Sequence, residues 1–369
     1  MNQPLPHSDQ LDIATLSGLF RHTTNSYKYL FFVSLLSWMK DRRFEVYDGI
    51  PLRELEIEML VTAWYPHVFF KLSFGTQDRI ASALRSVPHI DDNRKLLTRS
   101  GRDELRRRLA DSVDVPDHQL TRYVPHRILR PFFSCETRGM PDQRVNREVA
   151  NLADELFQVR RPLFRFDHSE ECIHLHPGWI AYLKDHQTIL DGWALWHWAD
   201  YMQRRNPGIP AVTRKLLPPE RRAPLNSQKK FWKTVFDKSE IRCIYSGKTL
   251  NSDYVLDHFL PWRFVAHDQL WNLVPVDSQV NSSKSDWIPS EIYLDSLAET
   301  QRVGLSVARD SLSDEKWRKE VAPYITDLYI DAEETLDSEK LKSAYHRTLK
   351  PLMSIAEQQG FQSGWTYEA

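Results

Sequence analysis

The chain has 369 residues, 41% of them hydrophobic and 27% charged, with 49 Lys and Arg against 50 Asp and Glu. This composition excludes a disordered chain and is typical of a globular protein with two or three domains. The three cysteines, Cys135, Cys172 and Cys243, are too far apart for a disulfide framework and predict a reducing, cytoplasmic location. The longest apolar run, Tyr29 to Met39, is shorter than the ~20 residues that span a bilayer, so no membrane segment or signal peptide is expected.

The first part of the chain reads as mainly helical. Apolar residues at helical spacing predict helices within 10–43 (two helices), 52–65, 77–86, 103–110 and 179–202. Asn25 or Ser26 can cap the second helix, and Pro66 should end the third, because the residue before a proline disfavours helical geometry. Segments 120–133 and 160–175 are richer in β-branched and aromatic residues, which predicts short strands or an irregular core.

A basic, proline-rich segment follows this helical part. Residues 206–228 contain five prolines, and residues 204–233 carry nine Lys or Arg against one Glu. This pattern predicts a linker whose cations either track a phosphate backbone or are simply solvated. The candidate nucleic-acid contacts are Arg214, Lys215, Arg221, Arg222, Lys229 and Lys230.

A motif with chemical content begins at Asp257-His258-Phe259-Leu260-Pro261, followed by Asn272 fourteen residues after the histidine and by Asn281 nine residues later. Val255-Leu256 predicts the end of a strand, which would direct Asp257 and His258 to opposite sides because side chains alternate along a strand. The carboxylate could then face a metal ion while the imidazole, whose ordinary pKa is near neutrality, faces an attacking water.

The residues after this strand predict a return strand and a helix. Residues 271–276 read as the strand, and Asp277 or Ser278 can cap the helix. Asn281, Lys284 and Ser285 would share one face of that helix, since they stand at i, i+3 and i+4.

The motif resembles the HNH, or ββα-metal, endonucleases in their H-N-N variant, over roughly residues 241–289. The resemblance implies that His258 is the general base and that Asn272 holds the loop through backbone hydrogen bonds. It also implies that Asp257 and Asn281 bind one Mg²⁺ or Mn²⁺ ion, and that Lys284 lies near the scissile phosphate. Hydrolysis would leave a 5′-phosphate and a 3′-hydroxyl.

Several HNH nucleases also bind a structural zinc through two CxxC pairs. Here Cys243 stands alone, and Asp277 and Gln279 occupy the positions of a second pair. No structural zinc is therefore expected, and packing of apolar side chains around the motif would replace its contribution to folding. A second set, His168, Cys172, His174 and His176, has strand-like spacing and leaves open either a metal site or a half-buried strand face.

These observations predict an α+β, mainly helical protein. A helical recognition or regulatory domain (1–203) precedes the basic linker (204–230), the ββα-metal nuclease module (231–290) and an acidic helical segment that packs on the nuclease (291–369). The expected activity is metal-dependent cleavage of DNA, and by analogy a role in bacterial anti-phage defence or restriction, with a co-encoded partner. Two alternatives remain open: a nucleic-acid-binding or regulatory subunit whose HNH fold is idle, and an HNH nuclease that cleaves RNA.

Overall fold

The computed structural model describes residues 5–76, 78–85, 99–112, 120–218 and 224–368. The chain divides into two compact units, the first comprising Met1–Pro207 and Val212–Pro218 and the second Gly208–Ala211 and Pro219–Ala369. Both units are mainly helical with a small antiparallel sheet, which confirms the predicted α+β class. No helix in the described part of the chain is long and apolar enough to cross a membrane.

The first unit contains nine named helices and three short strands within its described residues. They are α1 (Ile13–Ser17), α2 (Tyr27–Asp41), β1 (Ile50–Pro51), α3 (Leu52–Trp64), α4 (Ile80–Arg85), α5 (Arg99–Ser112), α6 (Val124–Leu129), α7 (Asp142–Glu155), β2 (Phe164–Phe166), β3 (Cys172–Leu175), α8 (Pro177–Asp185) and α9 (Gln187–Arg205). Helix α2 is apolar on most of its circumference, and it packs against α3, α6 and α9. A helix with this pattern is buried rather than amphipathic, so α2 forms the centre of this unit's core.

Three features of the first unit differ from the sequence expectations. Residues 124–133, within the segment 120–133, are helical and form α6 followed by a 3-10 turn, Arg130–Phe133. The helix expected over 179–202 is interrupted at His186, which separates α8 from α9. Helix α3 ends at Trp64 but passes into a π-helical turn, Tyr65–Phe69, that accommodates Pro66. The strands expected within 160–175 are present as β2 and β3, which pair antiparallel.

The second unit surrounds one two-stranded sheet with helices. Its elements are α10 (Asn226–Phe236), β4 (Val255–His258), α11 (Trp262–Val265), β5 (Leu273–Val276), α12 (Ser278–Lys284), α13 (Leu294–Ser311), α14 (Asp314–Leu328) and α15 (Ser338–Gln358). Strands β4 and β5 are antiparallel, and α12 follows β5 directly and packs on β4. The order β4-β5-α12 is therefore a ββα arrangement.

The hairpin and the C-terminal helices share one hydrophobic core. Buried residues of that core run from Phe231 on α10 through Phe259 and Trp271 to Tyr345 on α15. Helix α10 packs on α13 at Gly304, where an added Cβ would lie 3.2 Å from the Phe231 ring and 3.3 Å from the Trp232 ring. Residues 231–290 and 291–368 consequently fold around the same interior, and the hairpin does not stand apart from the helices that follow it.

Candidate active site

The β4–β5 pairing fixes where the motif side chains lie. Asp257 is opposite Val274 and His258 is opposite Leu273 in the antiparallel register. Because adjacent residues of a strand point to opposite faces, Asp257 faces the interior and α12, whereas His258 faces the connection between the strands. The Asp277 side chain accepts a hydrogen bond from the Gln279 backbone N–H and begins α12 at a defined residue.

Asp257 is buried, and both of its carboxylate oxygens accept hydrogen bonds. The Tyr245 hydroxyl donates to Oδ2 at 2.8 Å, and the Lys284 ammonium donates to Oδ1 at 3.0 Å. Burial, together with the adjacent Asp257 charge, raises the pKa of Tyr245 well above its usual range, so the phenol remains a donor. The carboxylate is thus held in one orientation by a neutral donor and a cation.

Lys284 is completely buried, and its position differs from the sequence expectation. Its ammonium bridges Asp257 Oδ1 and the backbone carbonyl of His258, which accepts at 2.8 Å. A side chain with no exposed surface does not fit the predicted position beside a scissile phosphate. The ammonium instead compensates the buried Asp257 charge, because a carboxylate taken out of water requires a paired cation or several donors.

His258 has a partner that does not belong to the motif, Asp268. Its Nε2 lies 2.8 Å from Asp268 Oδ1, and the two side chains are 11% and 20% exposed. Asp268 lies in the connection between β4 and β5, only ten residues after the histidine. The sequence signal for this partner is an acidic residue in the connection between β4 and β5, since this connection has to pass the end of β4.

Asn272 is fully buried at the end of that connection. Its side-chain amide donates to the Leu260 carbonyl at 2.9 Å, and its amide oxygen accepts from the Leu260 backbone N–H at 2.8 Å. The Asn272 carbonyl also accepts from the Phe259 N–H at 2.9 Å. One side chain therefore satisfies both backbone groups of Leu260, two residues after His258, and holds the start of the loop against its end.

The C-terminal helices fix the same loop from outside. Gln301 on α13 donates to the carbonyls of Leu270 and Leu273, and Tyr345 on α15 donates to the Trp271 carbonyl at 2.8 Å. The Trp271 indole donates in turn to Asp327 on α14 at 2.7 Å. Cys243 is a buried free thiol. The motif is stabilised by these hydrogen bonds as well as by the apolar packing that the sequence predicted in place of a structural zinc.

One region of the second unit matches a known family. Residues 243–290 match the family model described as HNH endonuclease. The predicted resemblance of the motif to HNH nucleases is therefore confirmed. Comparisons with curated proteins and with solved structures gave no match. The family match points to a nuclease that acts on nucleic acid, and it spans part of the second unit only.

HNH nucleases generally use divalent metal ions, and two residues of the motif carry oxygen atoms of the kind that such ions bind. Asp257 offers a carboxylate, and each of its oxygens keeps a lone pair besides the one used by Tyr245 or Lys284. Asn281 offers an amide oxygen from α12, one turn before Lys284 on the same helix face. Carboxylate and amide oxygens are the hard ligands that Mg²⁺ prefers, and the remaining positions would be left to water and phosphate.

The basic residues predicted to contact nucleic acid have different environments. Arg214, Lys229 and Lys230 are exposed, and Arg221 and Arg222 lie outside the described residues. Lys215 is completely buried in the first unit, 5.8 Å from the centre of the Phe70 ring. Lys215 therefore has no surface for a phosphate contact, and its predicted role is wrong.

The second histidine set does not converge on one point. His176 accepts a hydrogen bond from the Gly178 N–H at 3.1 Å and caps α8, whereas His168 and His174 line a polar cavity of about 370 Å³ beside α7. Cys172 is at the start of β3, paired with Pro51. In the part of the chain that the structure describes, no group of three or more His, Cys, Asp or Glu side chains is placed to hold a metal ion.

Proposed function

We propose that this protein is a metal-dependent HNH endonuclease that hydrolyses phosphodiester bonds of DNA. The observation that carries the proposal is the ββα arrangement in which β4 directs Asp257 and His258 to opposite faces while Asn272 holds the loop after them. A carboxylate, an imidazole and a fixed loop at one strand end provide a cation ligand, a proton acceptor and a defined geometry.

In the proposed reaction, a water loses a proton to His258 as its oxygen bonds to phosphorus. The bond between phosphorus and the 3′ oxygen breaks, and the 3′ oxygen takes a proton from solvent, which leaves a 5′-phosphate and a 3′-hydroxyl. A Mg²⁺ or Mn²⁺ ion bound by Asp257 and Asn281 would neutralise charge on the phosphate oxygens. Lys284 keeps the Asp257 carboxylate in place from inside the unit, and it does not contact the substrate.

Substrate binding is proposed at helix α10. Its buried face carries Phe231, Trp232 and Val235, while Lys229, Lys230 and Lys233 are exposed on the other side. The Gln228 amide at the start of the same helix donates at 2.9 Å to the backbone carbonyl of Asp268, the residue whose side chain contacts His258. A line of cations that begins beside the candidate base is suited to a phosphate backbone.

The test is cleavage of supercoiled plasmid by the purified chain with Mg²⁺ or Mn²⁺, with and without EDTA. The expected result is nicking or linearisation that EDTA and His258→Ala both abolish. Equal cutting by the His258→Ala variant would contradict the proposal. Parallel digestion of duplex DNA, single-stranded DNA and RNA decides the substrate, and binding without metal-dependent cutting would indicate a subunit with an idle HNH fold.

We also propose, from the resemblance alone, that the biological setting is anti-phage defence with a co-encoded partner. Phage plating on bacteria that express the wild-type chain or His258→Ala, with and without the neighbouring genes, tests this role. Equal plating on all strains would contradict it without affecting the proposed chemistry.

A further inference from the structure

We infer that Asp268 is a positioning residue for His258: its carboxylate fixes which ring nitrogen accepts the proton from water. This inference rests on the proposed nuclease function. It concerns a residue outside the family-derived set of Asp257, His258, Asn272 and Asn281, and it names the chain's own device for orienting the base.

The contact between His258 and Asp268 determines which ring nitrogen carries the hydrogen. His258 Nε2 lies 2.8 Å from Asp268 Oδ1, and an ionised carboxylate only accepts hydrogen bonds. Nε2 must therefore carry the hydrogen, and Nδ1 of the neutral ring keeps a free lone pair. Among the described residues Nδ1 has no hydrogen-bond partner, and 11% of the His258 side chain is exposed to solvent. Nδ1 is therefore the ring nitrogen that is left to accept a proton from a water that enters the site.

The loop that carries Asp268 is held from several directions. The Gln228 amide on α10 donates to the Asp268 carbonyl at 2.9 Å. The next residue, Gln269, donates its N–H to His267 Nδ1 at 3.3 Å and accepts from the Asn272 N–H at 3.1 Å. Because the Asp268 carbonyl and both backbone groups of Gln269 are hydrogen-bonded, the Asp268 carboxylate is in place before any substrate arrives, as a positioning group must be.

The charge of Asp268 adds to its geometric role. When the ring takes a proton from water, the imidazolium that forms lies opposite a carboxylate in a partly buried site. A charge-assisted hydrogen bond of this kind is roughly twice as strong as a neutral one. The hydrogen bond that orients the ring is therefore retained while the ring takes the proton.

The alternative is that Asp268 only ties the loop together. The two roles predict different kinetics. A purely structural tie would lower thermal stability and DNA affinity along with the rate. Loss of a positioning residue would lower the rate of the chemical step and leave thermal stability and DNA affinity unchanged.

The first experiment compares Asp268→Ala and Asp268→Asn with Asp253→Asn, an exposed carboxylate in the same unit. We measure single-turnover cleavage of duplex DNA at saturating enzyme with Mn²⁺, DNA affinity with Ca²⁺, and melting temperature. Both Asp268 variants should cut about 10- to 100-fold more slowly, the usual loss when the partner that orients a functional histidine is removed. The DNA affinity of the Asp268 variants should stay within about twofold of the wild type, and their melting temperature should be unchanged. Asp253→Asn should match the wild type in rate, DNA affinity and melting temperature.

The second experiment reads the ring directly and does not depend on activity. In the full chain labelled with ¹⁵N-histidine, the His258 signals are assigned by their loss in His258→Ala. The wild type should show a protonated Nε2 and an unprotonated Nδ1 in the neutral ring. Asp268→Ala should show a mixture of the two tautomers.

Each outcome decides one question. If the wild type cuts and Asp268→Ala cuts equally well, or loses stability and DNA affinity in proportion to rate, the positioning role is overturned while the nuclease proposal stands. If no metal supports cutting by the wild type, the nuclease proposal fails. The ¹⁵N spectra still test the Asp268 contact in that case, and an unchanged tautomer in Asp268→Ala would overturn it.

Discussion

Among the residues that the structure describes, each unit buries one lysine completely, and the two environments differ. Lys284 donates to the Asp257 carboxylate and to a backbone carbonyl in the second unit. Lys215 lies near the Phe70 ring in the first unit, where burial lowers the pKa of its ammonium to about 7. The comparison teaches that the second unit stabilises a buried ammonium with a carboxylate, whereas in the first unit burial disfavours the charged form.

The histidines of the two units show the same contrast. His258 faces a carboxylate at 2.8 Å on a loop bonded by three surrounding helices. His126 in the first unit lies 3.4 Å from the exposed Glu170, and burial lowers its pKa. A pairing fixed by surrounding hydrogen bonds is what distinguishes the candidate site from histidines that merely lie near acids.

The largest expected effect is on catalysis. His258→Ala should reduce the cleavage rate by about 10²- to 10⁴-fold, the usual contribution of a general base. His174→Ala, which removes a histidine from the polar cavity of the first unit, should leave the rate unchanged. Single-turnover assays of both variants measure the two rates. A comparable loss in His174→Ala would show that the histidines of the first unit matter for cleavage as much as His258 does.

The second effect concerns the buried lysines. Lys284→Met leaves the Asp257 carboxylate buried without its cation and should destabilise the second unit by about 3–5 kcal/mol. Lys215→Met removes a cation that burial disfavours, and it should stabilise the first unit near pH 7. Hydrogen exchange measured by mass spectrometry resolves the two units separately. Changes of the same sign in both variants would show that the two buried lysines do not differ in their effect on stability.

A pH dependence follows from Lys215. Its pKa is about 7 in the folded chain and 10.5 ordinarily, so between these values the unfolded state holds a proton that the folded state has released. Stability therefore rises with pH in this window, by about 2 kcal/mol between pH 7 and pH 9, and this gain should be absent below pH 7. Urea unfolding of the wild type and Lys215→Met at both pH values measures it. An equal pH response in the variant would contradict the assignment to Lys215.

The smallest effect is expected at the exposed lysines of α10. Replacing Lys229, Lys230 and Lys233 with alanine should make the slope of log K against log salt concentration shallower, by about 0.9 for each phosphate that the variant no longer neutralises. The matched control replaces Lys316, Arg318 and Lys319, which are exposed on α14 of the same unit. Both triple variants are made in a His258→Ala background and titrated with duplex DNA. Equal slopes in the two variants would place the substrate elsewhere.

Part of this fold and site was accessible from the sequence because it depends on short-range patterns. The strand-end motif and its fourteen- and nine-residue steps predicted the HNH resemblance, and apolar spacing predicted the mainly helical class. The errors arose where tertiary contacts prevail over local preference. Residues 124–133 are helical despite the aromatic and β-branched content of their segment, and Lys215 is buried although it belongs to a basic segment.

The sequence by itself determined which chemical groups stand near the end of β4, because alternation along a strand and the cap of α12 are local properties. Tertiary structure decided what those groups contact. Lys284 reaches Asp257 across 27 residues, Tyr345 reaches Trp271 across 74, and the return of the loop brings Asp268 to His258. Such contacts depend on how the helices pack around one core, and no local periodicity encodes which distant donor will meet a given buried acceptor.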